Sequence, residues 1–132
     1  KQQVARLGLE ERVLMAGNQA DVAPWLQALD VFALPSYANE GVPQALMQAM
    51  AVGIPVISTP VGGIDELVRQ EETGLMVPAQ DAAALGAAIE RLLAEPALAQ
   101  RLALAARAWV SSRYSRERML DSMEAVFRSV AA

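Results

Sequence analysis

The chain contains neither cysteine nor histidine. Thiolate and imidazole metal ligands are therefore absent, and with them the Cys-His and Ser-His pairs of nucleophilic catalysis. Any chemistry must draw on carboxylates, hydroxyls, amides and the backbone, and no metal site is expected. No apolar run is long enough to cross a bilayer, and no signal peptide is visible. A basic excess is missing too: 11 Lys and Arg stand against 15 Asp and Glu, for a net charge of −4. Nucleic-acid binding needs a positive surface that displaces counterions, so that class of partner is set aside and a small molecule is expected. Between Arg12 and Arg69 there is no lysine or arginine at all. Neither a Gly-x-Gly-x-x-Gly fingerprint nor a Walker lysine occurs, which removes the common dinucleotide and ATP loops.

What is present fits one folded unit. The 132 residues are 54% hydrophobic and 20% charged, which suits one globular domain with a modest core. The chain starts at Lys1 on what reads as the end of a helix, so residues 1–132 are expected to be a partial domain of a longer protein. Short apolar runs of strand type occupy Val13–Ala16, Val31–Leu34, Pro55–Ser58 and Leu75–Val77, each bounded by Gly, Pro, Asp or Ser. Helical segments separate them: one after the N-cap candidate Asp21, then Val42–Val52, then Ile64–Gln70. Strands alternating with helices predict a mostly parallel sheet with right-handed crossovers, an α/β Rossmann-like three-layer sandwich. Beyond Pro78 only helices are predicted. Asp81 caps the first, Leu98, Leu102, Ala106, Trp109 and Val110 form the stripe of the second, and Met119, Met123, Phe127 and Val130 that of the last. Each stripe is expected to face a core. The arginines of this tail are interspersed with acids and read as a solvated face.

Functional information concentrates in residues 40–63, where a loop carboxylate, a helix start, a Gly53 stop, a buried strand and the pair Gly62-Gly63 follow without a gap. A helix N-terminus presents unpaired N–H groups and a partial positive charge, so it suits an anion even where no basic side chain is near. Gly41 lets backbone approach a ligand closely, and Pro43 fits the first turn because its missing N–H is not needed there. A helix from Glu40 to Gln48 would rise about 12 Å, at roughly 1.5 Å per residue, close to the hexose-to-ribose span of a nucleotide-sugar. Gln44 lies one turn before Gln48 on the same face.

Glu40-Gly41-Val42-Pro43, the Ala49-Met50-Ala51 helix end, Gly53-Ile54-Pro55-Val56-Ile57, Val61-Gly62-Gly63 and Thr73-Gly74-Leu75-Met76-Val77-Pro78 together resemble the donor-binding half of family 4 glycosyltransferases. The resemblance runs from about Val13 to the C-terminus. It implies the GT-B fold, two Rossmann-like domains across a cleft, of which this chain is the C-terminal one followed by C-terminal helices. It implies a retaining enzyme that takes a nucleoside-diphosphate sugar as donor substrate, needs no metal or other cofactor, and receives an acceptor glycan or lipid from an N-terminal domain that this chain lacks. By position, Glu40 becomes the catalytic-site residue that takes hexose hydroxyls. Gly41, Val42, Pro43, Gln44 and Gln48 become donor-binding, with Gln48 at the ribose. Gly17 and Asn18 sit where the family's backbone touches the base, and Gly62 and Gly63 where donor and acceptor meet. The Arg and Lys that the family sets against the leaving diphosphate belong to an earlier strand and loop, so the isolated fragment is expected to be inactive. The full-length protein is expected in the cytoplasm, peripheral to a membrane, in polysaccharide biosynthesis.

One position departs from the pattern. The family carries a second glutamate eight residues after the first, and here that residue is Gln48. A carboxylate accepts two charge-assisted bonds from a diol, whereas an amide offers one acceptor and one donor group. Ribose binding is then expected to weaken, which leaves room for a catalytically degenerate nucleotide-sugar-binding or structural module of the same fold. A third reading is an enzyme that epimerises nucleotide-sugars, although no acid–base pair for it can be identified. From the residues alone, Gly62-Gly63 is also an ordinary turn, Gly17-Asn18 an ordinary strand-to-helix connection, and Gln48 a solvent-facing side chain. Ser36 and Tyr37 occupy the same sheet edge and carry the same two readings. Asp65 and Glu66 read as first-turn acids placed for the helix dipole.

Overall fold

Three of the apolar runs pair side by side in the computed structural model, which describes residues 1–38 and 40–130. β1 (Phe32–Leu34), β2 (Val56–Ser58) and β3 (Leu75–Met76) form a parallel sheet in the order β1-β2-β3, with Phe32 opposite Val56 and Ile57 opposite Leu75. The central strand is wholly buried. Its alternation shows why: Val56 belongs to one apolar cluster and Ile57 to another on the opposite face.

Parallel neighbours need crossovers. α3 (Gln44–Val52) joins β1 to β2, and the single turn α4 (Ile64–Leu67) lies between β2 and β3. α3 buries Leu46, Ala49 and Met50 and ends at Gly53, whose φ of 91° is the left-handed conformation that closes a helix and that glycine adopts freely. α5 (Ala82–Ala94) starts where Asp81 accepts the Ala84 N–H at 2.9 Å, and α6 (Pro96–Arg113) opens on its own proline. α6 serves both clusters. Leu98 and Leu102 pack with Ile57, Leu75, Val77 and Leu92, while Ala106 and Val110 pack with Leu46, Met50, Val56, Ile64 and Leu67. The result is the expected Rossmann-like α/β arrangement. Two short helices, α1 (Gln2–Arg6) and α2 (Ala23–Gln27), precede β1, and α7 (Arg116–Val130) follows α6. No helix among the described residues is long and apolar enough to cross a membrane.

Four expectations need correction. Val13–Ala16 belongs to no strand, and Leu14 is 78% exposed. Apolar β-type residues make a strand only where a neighbouring strand takes their N–H and C=O groups, and none does so here among the described residues. The helix predicted over Ile64–Gln70 stops at Leu67, because Val68 turns extended and the Arg69 N–H is taken by Thr73 Oγ1 at 2.8 Å. α3 begins at Gln44, leaving Val42 outside the helix and Pro43 at its N-cap, with φ −71° and ψ 121°. α7 faces no core among the described residues: Met119 is 54% and Phe127 65% exposed, and none of its residues is buried. Helical periodicity shows that a helix has an apolar side, not what covers that side.

Candidate functional site

The site is built where β1 and β2 end. Ser58 and Thr59, both fully buried, turn their hydroxyls toward the loop that leaves β1. Ser58 Oγ donates to the Leu34 carbonyl at 2.8 Å, and Thr59 Oγ1 donates to the Ser36 carbonyl at 2.5 Å. Ser36 Oγ in turn donates to Glu40 Oε1 at 2.5 Å. Glu40 is half-buried, and its own carbonyl accepts the Gly63 N–H at 3.2 Å. The carboxylate is thus fixed at its side chain by one loop and at its backbone by another.

Gly62 and Gly63 are more than a generic turn. Gly62 has φ +59°, and a Cβ there would lie 1.8 Å from the Glu40 carbonyl oxygen. At Gly63 the nearest atom to a Cβ would be the Gly41 carbonyl oxygen, at 2.9 Å. The glycine pair lets the turn after β2 press directly on the Glu40-Gly41 backbone. Gly41 is the opposite case: a Cβ there meets no described atom within 4 Å. Neither close packing nor a left-handed φ demands glycine at this position.

The amino end of α3 follows. The first intrahelical bond runs from the Met47 N–H to the Pro43 carbonyl at 3.1 Å, and no side chain among the described residues caps the helix. The N–H groups of Gln44, Ala45 and Leu46 therefore have no partner within the helix, the arrangement that attracts an anion. Because Pro43 is the N-cap, only Gln44 to Gln48 is helical, a rise of about 6 Å rather than 12 Å. The loop from Glu40 supplies the remaining reach.

Gln44 and Gln48 are exposed, as the shared face predicts, and both line a groove of about 380 Å³ with Met47, Ala51, Val110 and Tyr114. This groove separates α3 from the end of α6. Tyr114 helps close it, its hydroxyl donating to the Glu66 carbonyl at 3.2 Å. Gln44 belongs both to the open helix end and to the groove, so the two features meet at one residue. Gly17, with φ +68°, and Asn18 lie in an exposed segment, and no hydrogen bond among the described residues joins them to the Glu40 loop. Tyr37 is exposed as well.

Arg69, the first cation after the long gap, stacks 3.8 Å from the Trp109 ring centroid and lies 3.6 Å from Glu72, while Arg113 stacks on the same ring at 4.1 Å. Asp65 and Glu66 sit exposed in the first turn of α4, as expected for dipole pairing. No cluster of three or more acidic, histidine or cysteine side chains among the described residues could hold a metal ion. Sequence reasoning missed Thr59 and Tyr114. Thr59 follows a buried Val-Ile-Ser run, and a hydroxyl at the end of a buried strand must find a partner. Tyr114 gives no such local signal, since the carbonyl that its hydroxyl meets lies 48 positions earlier.

Residues 1–95 match the family model described as Glycosyl transferases group 1. The amylovoran biosynthesis glycosyltransferase AmsK of Erwinia amylovora is 38% identical over 122 residues, covering 87% of this chain and 30% of that protein. Among solved structures, the sucrose-phosphate synthase of Thermosynechococcus elongatus is 38% identical and superposes with a TM-score of 0.91 over 98% of this chain and 33% of that one. Anabaena HepE in complex with UDP-glucose is 29% identical, with a TM-score of 0.93 over 97% of this chain and 35% of that one. The chain spans about a third of the length of each of these proteins.

Proposed function

Because the chain belongs to the group 1 family of glycosyl transferases, we propose that residues 1–132 are the nucleotide-sugar-binding domain of a longer, retaining glycosyltransferase that delivers a sugar to a glycan or lipid acceptor. The observation that carries this reading is the junction of the Glu40 loop, the Gly62-Gly63 turn and the uncapped start of α3. The likeness to HepE, solved with UDP-glucose, supports the class of donor.

The proposed division of labour follows from the chemistry of each group. Glu40 accepts hydroxyls of the transferred sugar, and its open neighbour Gly41 gives the donor room. As the glycosidic bond breaks, negative charge grows on the departing diphosphate. Fixed N–H dipoles at the start of α3 stabilise that charge more strongly than they stabilise the intact donor, which is what lowers a barrier. Gln44 continues the contact into the groove, where Gln48 meets the ribose. Gly17 and Asn18 would reach the base, and Gly62 and Gly63 would border the acceptor. No resident metal or other cofactor is needed in this scheme. The further cations and the acceptor contacts come from the part of the protein outside this chain, and a cytoplasmic, membrane-peripheral setting belongs to the same proposal.

The test is calorimetric titration of the full-length protein with UDP-glucose, GDP-mannose and ADP-glucose, followed by transfer assays with the donor that binds. Binding of one donor, transfer by the full-length protein and no comparable transfer by residues 1–132 are expected. A chain 1–132 that transfers sugar at the full-length rate overturns the division of labour.

Gln48 favours a second reading, a module that keeps the fold and has lost turnover. The variant Gln48→Glu in the full-length protein separates the two. Restoring a carboxylate adds a charge-assisted bond to a ribose hydroxyl, and the gain of a degenerate site would be about tenfold or more in donor affinity. An active enzyme adapted to glutamine is expected to change by less than about threefold, since its amide already makes that contact at roughly 1 kcal/mol.

A further inference from the structure

We infer that Ser36 and Thr59 are positioning residues for the Glu40 carboxylate and set how strictly the site reads the sugar of its donor. The inference rests on the donor-binding reading of Glu40 and deepens it. Two consecutive hydrogen bonds carry it. The hydroxyl of fully buried Thr59 donates to the Ser36 carbonyl at 2.5 Å, and the Ser36 hydroxyl donates to Glu40 Oε1 at 2.5 Å. The first bond ties the loop to the fully buried end of the central strand. The second ties one carboxylate oxygen to that loop.

The consequence is chemical as well as geometric. Glu40 sits in a loop, not in a helix or strand, and an unheld loop carboxylate samples several rotamers at an entropic cost on binding. With Oε1 engaged by Ser36, the carboxylate is locked in one orientation and offers chiefly Oε2 to a ligand. A sugar hydroxyl placed to donate to that oxygen is accepted. A sugar that turns this hydroxyl away leaves a charged acceptor unpaired, and sites that hydrogen-bond a hydroxyl discriminate strongly for this reason. A carboxylate free to rotate would tolerate more than one donor sugar.

The experiment compares each nucleoside diphosphate with its sugar-bearing form in the full-length protein, using UDP with UDP-glucose, GDP with GDP-mannose and ADP with ADP-glucose. The pair that binds is then measured with Ser36→Ala, Thr59→Val and Thr59→Ser, each checked for wild-type circular dichroism. Ser36→Ala, which removes the bond to the carboxylate, is expected to weaken the nucleotide-sugar about tenfold, and Thr59→Val, which removes a bond to a neutral carbonyl, about threefold to fivefold, while the bare diphosphate weakens by less than about twofold in either variant. Thr59→Ser keeps the hydroxyl and is expected to retain the wild-type ratio. If the folded Ser36→Ala protein keeps the wild-type ratio, or if both ligands weaken equally, positioning by these hydroxyls is wrong while the donor-binding reading stands. If none of the three pairs binds the wild-type protein, the donor-binding reading falls and takes this inference with it.

Discussion

Glu40→Gln in the full-length protein is expected to lower kcat/KM for sugar transfer about 10²- to 10⁴-fold without loss of fold. The amide is nearly the shape of the carboxylate but offers one acceptor oxygen and an NH₂ in place of two acceptors. Its partners make the loss hard to avoid. Ser36 already claims Oε1, so if the amide oxygen keeps that bond, its NH₂ is turned toward the sugar and can no longer accept a hydroxyl proton. If the amide flips, the oxygen serves the sugar and the NH₂ donates to the Ser36 hydroxyl, so both contacts persist only as neutral ones. Either way up to two charge-assisted bonds are lost, each about 1.5–3 kcal/mol, and every 1.36 kcal/mol is roughly tenfold in rate. Stability should hardly change, because the carboxylate is half-buried at a loop and anchors no part of either apolar cluster. Asp65→Asn is the natural control: its acid is exposed at the start of α4, and its removal should leave transfer within about twofold, given a surface dipole contribution of only about 0.3–1 kcal/mol. Steady-state kinetics on the two variants, with melting curves alongside, decide the matter. A Glu40→Gln enzyme that keeps a third or more of wild-type activity removes the carboxylate from the site.

The fold was largely legible because its decisive signals are local. A Gly stop closes α3 and an Asp cap opens α5, and the structure places each residue at the helix end for which its chemistry suits it. The spacing of Leu98, Leu102, Ala106 and Val110 likewise identified a buried face. The two larger misreadings both turn on a partner that one stretch of sequence cannot name. Val13–Ala16 has strand composition and no strand beside it among the described residues, and α7 has an apolar stripe that stays exposed. The site divides along the same line. Glu40, Gly62 and Gly63 stand out as types in a pattern, and the structure brings them into contact. The bonds from Thr59 to Ser36 and from Tyr114 to Glu66 cross 23 and 48 positions, and no periodicity announces them. Gln48 was legible as an exposed helix position, but the groove it shares with Tyr114 exists only once α6 is packed against α3.

Gly62→Ala and Gly41→Ala, one residue type in two neighbouring loops, should fail in opposite ways. Gly62 holds φ +59°, where an L-residue is penalised by roughly 1–2 kcal/mol. Its new Cβ would also stand 1.8 Å from the Glu40 carbonyl oxygen, a backbone atom that no rotamer change can clear. The turn and the Glu40 loop must separate, which breaks the Gly63 N–H bond to that same carbonyl. Strain, clash and a lost hydrogen bond together are expected to cost about 3 kcal/mol or more, a drop of roughly 10 °C in Tm for a domain of this size. Donor binding should vanish with it, because the Glu40 carboxylate moves with its backbone. Gly41→Ala meets no described atom and needs no left-handed φ. Its Tm should stay level or rise slightly, since alanine at an unstrained position restricts the unfolded chain by about 0.4–1 kcal/mol. Yet the methyl group would project into the space that the proposed site reserves for the donor, and affinity for the nucleotide-sugar should fall at least about tenfold, the equivalent of one displaced hydrogen bond to a charged group. Thermal melts and calorimetric titrations of the two variants separate glycine kept for the chain from glycine kept for a ligand. Full donor affinity in Gly41→Ala would mean that the open space above residue 41 is ordinary solvent, and the ligand would have to be sought elsewhere on the sheet edge.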